Sequence, residues 1–306
     1  MGTDTWTIGR LLEVTAAFLE KKGIESPRLC ADILLSHALH TDRVKLYLHY
    51  DQPLTDREIA QFRSLIKRRL RGEPIQYITG IQEFWSMDFM VGPQVLIPRP
   101  ESEVLLEQVL SLSRGKKIPN PERPKILDLC TGSGALVIAL AHEIPEASLW
   151  ACDISAAALE MALANTRKHG VESRIVFLQG NLLDPFLKRD IRFDAIVSNP
   201  PYIPSMTLDA LCPEVRDYEP KQALDGGEDG MTYIERIIAD GPACLNPRGW
   251  LLIEMDPEQL PLASKQMDHS GRFGERCFVK DYSHRDRVLM ARKADAPETR
   301  AEETVS

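Results

Sequence analysis

Lys125-Ile126-Leu127-Asp128-Leu129-Cys130-Thr131-Gly132-Ser133-Gly134 runs from an apolar stretch through two glycines into Ala135-Leu136-Val137-Ile138. Residues 125–130 read as a buried strand and 134–143 as the helix that follows it. Glycines in such a turn let the backbone approach a ligand closely, and the helix start beyond them favours polar or anionic groups. Asp153 ends the next strand, 148–153, and stands 19 residues beyond Gly134. An acid at that position can accept both hydroxyls of a ribose. The combination points to a nucleoside-containing cofactor. Val137 occupies the third glycine position of G-x-G-x-x-G, which weakens a nicotinamide dinucleotide.

Beyond this turn the pattern alternates. Residues 155–169 form a helix capped by Ser155, 174–178 and 193–198 are strands, 231–245 is a helix, and 250–255 is a strand. A helix at 258–268 and strands at 277–279 and 288–291 complete the series. Such alternation predicts an α/β fold with a doubly wound, mostly parallel sheet, binding its ligand at the carboxyl ends of the strands.

The strand 193–198 ends in Asn199-Pro200-Pro201-Tyr202. Pro200 drives Asn199 into an extended conformation, so its side chain projects from the strand tip. The prolines carry no N–H, so Asn199 Oδ1 and the Pro200 carbonyl can both accept from one planar NH2 group. Tyr202 offers a flat face to such a group. Pro-Pro alone would be an ordinary turn. The flanking Asn199 and Tyr202, downstream of a cofactor turn, make it a clamp for an amide or amino nitrogen.

The chain has 306 residues, 43% of them hydrophobic, and room for two domains. A formal charge of -8 argues against a surface built wholly to grip nucleic acid. The start lacks a signal-peptide pattern and no long apolar run occurs, so a cytoplasmic protein with no membrane partner is expected. The six cysteines form no C-x-x-C pair and suit a reducing compartment. The histidines form no metal pattern. His37 and His40 share a helix face by spacing, but nothing completes a site, and no metal is expected.

Residues 1–73 read as a helical bundle. Ile8, Leu11, Leu12, Thr15, Phe18 and Leu19 form the first stripe, and Leu29, Ile33, Leu34 and Ala38 the second, opened by Ser26 as cap and Pro27. Thr55 to Glu58 is a capping box, opening a helix that carries Ile59, Phe62, Leu65, Ile66 and Leu70. The basic run Arg63, Lys67, Arg68, Arg69, Arg71 could dock an acidic or ribonucleic partner, but reads first as a solvated face whose cations suit the helix C-terminus. Residues 74–98 read as short extended pieces, a hairpin-like linker, with 75–78 extended. In Leu96-Ile97-Pro98-Arg99-Pro100-Glu101-Ser102-Glu103 the proline and acids explain a helix start. Arg99 is left free to meet an anion or a carboxylate. The 203–230 segment is long for a connection and should border the acceptor pocket. The tail 294–306 is short of apolar residues and expected to be disordered.

The Asp128–Gly134 turn, Asp153 and the Asn199-Pro200-Pro201-Tyr202 strand end make the chain resemble the class I S-adenosylmethionine-dependent methyltransferases. Adding Leu96 to Glu101 and Ala223-Leu224-Asp225-Gly226-Gly227-Glu228-Asp229-Gly230, it closely resembles the HemK/PrmC family of release factor glutamine methyltransferases. The resemblance covers nearly the whole chain. It implies a seven-stranded Rossmann-like methyltransferase domain at 99–293, preceded by a helical substrate-docking domain at 1–73. It implies S-adenosyl-L-methionine as cofactor and S-adenosyl-L-homocysteine as product. The cofactor residues would be Asp128, Cys130, Thr131, Gly132, Ser133, Gly134, Asp153, Asn181, Leu182 and Asn199, with Asn181 and Leu182 flanking the adenine. Asn199, Pro200 and Tyr202 would be catalytic; these with Pro201 and Arg99 would bind the glutamine of the Gly-Gly-Gln motif in class I peptide-chain release factors. Two departures from the family pattern stand out. Cys130 replaces the first glycine of D-x-G-x-G-x-G, which is acceptable with a negative φ, and Asn181 replaces a common acid.

The same clamp suits a glutamine of a ribosomal protein, or the exocyclic amino group of a nucleic-acid base. The net acidity and the lack of an evident base-recognition domain count against the base, and no stable nucleic-acid partner is expected. A non-catalytic binding module would retain the fold but need neither clamp nor cofactor turn.

Overall fold

The computed structural model describes residues 5–295, so the expected disordered tail lies outside the described residues from position 296 onward. The chain forms two compact units. One runs to Ile81 and includes Cys212–Tyr218; the other comprises Gln82–Leu211 and the chain from Glu219 on. Among the described residues no helix is long and apolar enough to cross a membrane.

The first unit is helical: α1 (Ile8–Lys21), α2 (Pro27–Ala38), α3 (Arg43–Leu48), α4 (Asp56–Arg69) and α5 (Ile75–Thr79). Leu12, Leu19, Leu34, Leu35, Leu46 and Phe62 form its fully buried centre. Thr55 and Glu58 close the capping box at α4. Other local expectations fail for identifiable reasons. Ser26 sits in the left-handed region at φ 48 and makes no capping bond, leaving Pro27 to set the start of α2. Leu29 and Phe18 are each 42% exposed, because Cys30, Ala31, Leu34 and Leu35 turn inward on α2, and Leu11, Leu12, Thr15 and Leu19 on α1. His40 lies beyond the end of α2 at φ 50, yet its ring stays within 6.4 Å of the His37 ring. Residues 75–78 are helical: Pro74 precedes the first turn and Gly80, at φ 75, ends it. Leu70 is exposed at the end of α4.

The basic run is not one solvated face. Arg69 is buried, donates to the Glu73 carbonyl at 3.0 Å and pairs with Glu214 of the returning segment. Arg68 binds Glu73 through both Nε, at 2.8 Å, and Nη2, at 2.5 Å. Arg63, Lys67 and Arg71 stay exposed.

The second unit begins within the hairpin of β1 (Ile81–Phe84) and β2 (Met87–Met90), the hairpin expected from sequence. Then follow α6 (Glu103–Arg114), β3 (Lys125–Leu129), α7 (Ala135–Glu143), β4 (Ser148–Asp153), α8 (Ala156–Lys168), β5 (Ile175–Gln179), α9 (Asp184–Leu187) and β6 (Phe193–Ser198). After the excursion through α10 (Pro213–Arg216) come α11 (Thr232–Cys244), β7 (Leu245–Glu254), α12 (Leu260–Ser270), β8 (Phe273–Lys280) and β9 (Asp286–Lys293). The seven-stranded sheet has the order β5-β4-β3-β6-β7-β9-β8, parallel except for β9, which is antiparallel to β7 and β8. All six residues of β6 are buried, as a central parallel strand covered on both faces requires.

Alternate residues feed two cores. Ile126, Ala151, Ala195, Val197 and Leu252 meet α6 and α7 on one face, while Leu127, Cys152, Ile196, Leu251 and Ile253 meet α11 and α12 on the other. Asn165 of α8, fully buried, joins the hairpin to the β3–α7 turn. Its Oδ1 accepts from Met90 N at 2.7 Å, and its Nδ2 donates to Met90 O at 3.0 Å and Ser133 O at 2.9 Å. Asn165→Ala removes the partner of three backbone groups at once, two of them on half-buried Met90 and one on buried Ser133. It should lower unfolding free energy by about 1–3 kcal/mol, measured by urea denaturation, the cost of orphaning one buried group.

Candidate active site

The β3–β6 pairing places the two sequence motifs side by side. Leu129 is opposite Ser198 on one flank and Cys152 on the other, so the chain leaving β3, β4 and β6 converges at one end of the sheet. The order reverses between β3 and β6, which is the switch point where α/β sheets bind ligands.

The turn after β3 is tightly determined. Thr131 N donates to Cys152 O at 3.1 Å and Thr131 Oγ1 to Asp128 Oδ2 at 2.6 Å. To make that reversal Cys130 adopts φ +63, not the negative φ expected for a residue in place of glycine. A side chain there costs roughly 1–2 kcal/mol, met by the surrounding bonds. Gly134, at φ +79, starts α7 where a Cβ would lie 3.0 Å from the Ala162 Cβ. At Gly132, φ +55, a Cβ would meet nothing within 4 Å: the space beyond this backbone is open for a ligand.

Asp153 at the tip of β4 accepts from Gly132 N on Oδ2 and from Ser155 N on Oδ1, each at 2.9 Å. Each oxygen keeps a second lone pair. Burial raises its pKa, against the backbone bonds that favour the carboxylate.

A cavity of about 280 Å³ lies over these tips. Of the residues nominated from sequence, Asp128, Cys130, Thr131, Gly132, Ser133, Asp153, Asn181, Leu182, Asn199, Pro201 and Arg99 line it. Gly134, Pro200 and Tyr202 do not. Pro200 is buried, and the Tyr202 ring packs against the second core with its hydroxyl 3.4 Å from Glu254 Oε1. Arg99 meets a carboxylate, one of the two partners expected of it: its guanidinium pairs with buried Glu219 at 2.5 Å. From the 203–230 segment, Pro220, Gln222 and Ala223 reach the cavity wall.

Two residues at the site carried no functional reading from sequence. Asn199 Nδ2 donates to Ser102 Oγ at 2.9 Å, and Ser102 Oγ donates to Glu254 Oε2 at 2.6 Å. Ser102 was hidden within ordinary helix-start chemistry. Glu254 did leave a trace, an acid ending the apolar run Trp250-Leu251-Leu252-Ile253. The glycine-rich stretch braces the same strand end. Gly226 N donates to Ile203 O at 2.8 Å, and at Gly230 a Cβ would fall 2.3 Å from Tyr202 O. Gln259 Nε2 donates to that carbonyl at 2.8 Å.

Asp128 and Glu254 have their pKa values raised from 3.8 and 4.5 to about 7, in both cases chiefly by burial. Bonds from the Thr131 hydroxyl and Val137 N–H oppose the shift at Asp128; the Ser102 hydroxyl and Arg287 oppose it at Glu254. The folded state therefore binds these protons more tightly than the unfolded chain. Their stabilising contribution is complete below the unfolded values and is lost as pH rises through about 7. Urea unfolding of the ligand-free protein should show stability declining across that window, with a shallower decline in Asp128→Asn. An identical slope in the variant would show that Asp128 is already ionised in the folded protein.

Residues 10–80 match the PrmC N-terminal domain family and residues 104–211 the methyltransferase small domain family. The release factor glutamine methyltransferase of Geobacter sulfurreducens is 42% identical over 289 residues, covering 94% of this chain and 98% of the relative. That of Rhodopirellula baltica is 39% identical, covering 94% and 97%. In structure, the N-terminal domain of human METTL16 superposes with a TM-score of 0.51 at 15% identity, over 68% of this chain and 75% of that one, a likeness of fold. With both family domains matched and the relatives aligned nearly end to end, the chain belongs to the release factor glutamine methyltransferases.

Proposed function

We propose that the protein transfers a methyl group from S-adenosyl-L-methionine to the side-chain amide nitrogen of the glutamine in the Gly-Gly-Gln motif of a class I peptide-chain release factor. The observation that carries this is Asn199. It sits on the wall of the cavity that Asp153 and the Gly132 backbone also line, with its NH2 end engaged by Ser102.

The site fits the cofactor. Open space at Gly132, two spare lone pairs on Asp153 and the apolar Leu182 wall match a backbone-contacting tail, a ribose and a purine. Asn181, at the exposed rim, supplies a side-chain oxygen for the adenine amino group. When bound, the cofactor supplies an electrophilic methyl on a sulfonium. The protein's task is the nucleophile. An amide nitrogen is poor in that role because its lone pair is delocalised into the carbonyl. Asn199 Oδ1 and the Pro200 carbonyl accept its two N–H groups, aim the nitrogen and stabilise the positive charge that develops on it until one of those protons is lost to water. Pro201 lines the wall beside them, and Tyr202 supports the strand end through its packing. Arg99, paired with Glu219, lines the cavity and leaves the clamp to carry the chemistry.

Purified protein with labelled cofactor should label a release factor at that glutamine and leave a Gln→Ala release factor unlabelled. Label in a ribosomal protein or RNA under the same conditions would replace this reading. Asn199→Ala should keep fold and cofactor binding while turnover drops about 10²-fold or more, the scale for one preorganised polar group at a developing charge. Asp153→Ala should weaken cofactor binding by about 1–3 kcal/mol in calorimetry, as for loss of a charged acceptor. Unchanged affinity in that variant would place the ribose elsewhere.

A further inference from the structure

An asparagine side chain is nearly symmetric in shape but opposite in chemistry at its two ends. As a clamp it works only with Oδ1 toward the acceptor nitrogen; turned over, it would set its own N–H donors against the donors of the substrate. We infer that Glu254 is a positioning residue that acts through the Ser102 hydroxyl to fix which end of Asn199 faces the cavity. The inference rests on Asn199 holding the acceptor amide and explains how that residue is oriented.

The polarity of each link forces the next. Glu254 is 1% exposed at the end of a strand whose preceding residues Leu251, Leu252 and Ile253 are 0% exposed, where packing alone would favour another apolar side chain. An ionised carboxylate only accepts, so Ser102 must donate its single proton to it, at 2.6 Å. Toward Asn199, Ser102 can then only accept. The Asn199 NH2 turns to Ser102, at 2.9 Å, and Oδ1 is left as the acceptor at the other end of the planar carboxamide. A glutamine at 254 could donate as well as accept, and the chain of constraints would be lost.

Protonation of Glu254 has the same effect as that substitution. The acid can donate to Ser102, which frees the hydroxyl proton to meet Asn199 Oδ1. Glu254 faces Ser102 from the turn before α6, Tyr202 from the β6 end, Arg287 from β9 and Glu101. Arg287 favours the ionised form, and burial and Glu101 oppose it, giving a pKa of about 7. The ionised state is the oriented one, so kcat at saturating cofactor should rise as pH climbs through that value and then level off.

The test is a set of variants assayed on a Gly-Gly-Gln release factor, with cofactor affinity measured separately by calorimetry. Glu254→Gln and Ser102→Ala should each lower kcat about 10-fold or more, with cofactor affinity nearly unchanged, as expected when a preorganised acceptor is lost from part of the population. The double variant should be no worse than either single one, because both cut the same chain. Ser102→Thr, which keeps the hydroxyl, should restore activity; Ser102→Ala should abolish the rise of kcat with pH. A readout independent of turnover is the Asn199 side-chain NH2 signal in the ligand-free protein, assigned by its loss in Asn199→Asp. It should shift as pH falls through about 7 in the wild type and not in Ser102→Ala. Should Glu254→Gln fail to fold, the two Ser102 variants and the NMR titration decide the matter. If Asn199→Ala is inactive while Ser102→Ala keeps wild-type kcat, pH profile and NH2 titration, the relay is wrong. If Asn199→Ala is fully active, the amide-holding role of Asn199 is wrong instead.

Discussion

The register of β3 with its two parallel neighbours is the constraint on which the site depends. Because Leu129 lies opposite both Ser198 and Cys152, the turn after β3, Asp153 and Asn199 come out of the sheet at one level. A slip of one residue in either pairing would exchange the faces of every side chain on that strand and bury what must project. The fully buried β6 resists such a slip, since both of its faces are committed to cores. The chemistry at the strand ends is thus fixed by apolar packing well below it.

Around those ends the structure accepts unfavourable features in return for geometry. Cys130 holds a positive φ, and Asp128 and Glu254 are acids pushed to about neutrality by burial. Each would be removed by a redesign for stability alone. Their clustering at one end of the sheet, within hydrogen-bonding reach of residues that line the cavity, is the pattern expected where local rules yield to function. The glycine-rich stretch serves the same end by close packing: its backbone lies too near Tyr202 for any side chain, and so the strand end cannot drift.

Much of this was legible in the residues themselves. Periodicity gives the alternating elements, the hairpin and the capping box at Thr55, because these depend on neighbours within a few positions. The cofactor turn and the Asn-Pro-Pro-Tyr end were legible because glycine and proline report backbone shape directly. What could not be read depended on distant partners. The φ of Cys130 is set by a carbonyl on β4, the burial of Arg69 by Glu214, and the pairing of Arg99 by Glu219. Ser102 and Glu254 are 152 positions apart, and neither acquires a role until the sheet brings both to Asn199. Exposure of Leu29 and Phe18 is a subtler case: the helices were right, but the rotation of each about its axis is settled by packing.

The helical unit is not a contiguous piece of chain. Arg69 is buried, and its carboxylate partner lies 145 residues further on, in the short segment that returns to complete the unit. On a ribosome, where chains emerge N-terminus first and domains tend to fold as they appear, the five helices can assemble early, but with Arg69 held by the Glu73 carbonyl and its carboxylate partner still unsynthesised. The unit is finished only after β6 and the residues beyond it have been made. Completion of the first-made part thus waits on the synthesis of the Asn199 strand end, and a truncated product ending within the sheet would carry an incomplete helical unit as a mark of its own immaturity.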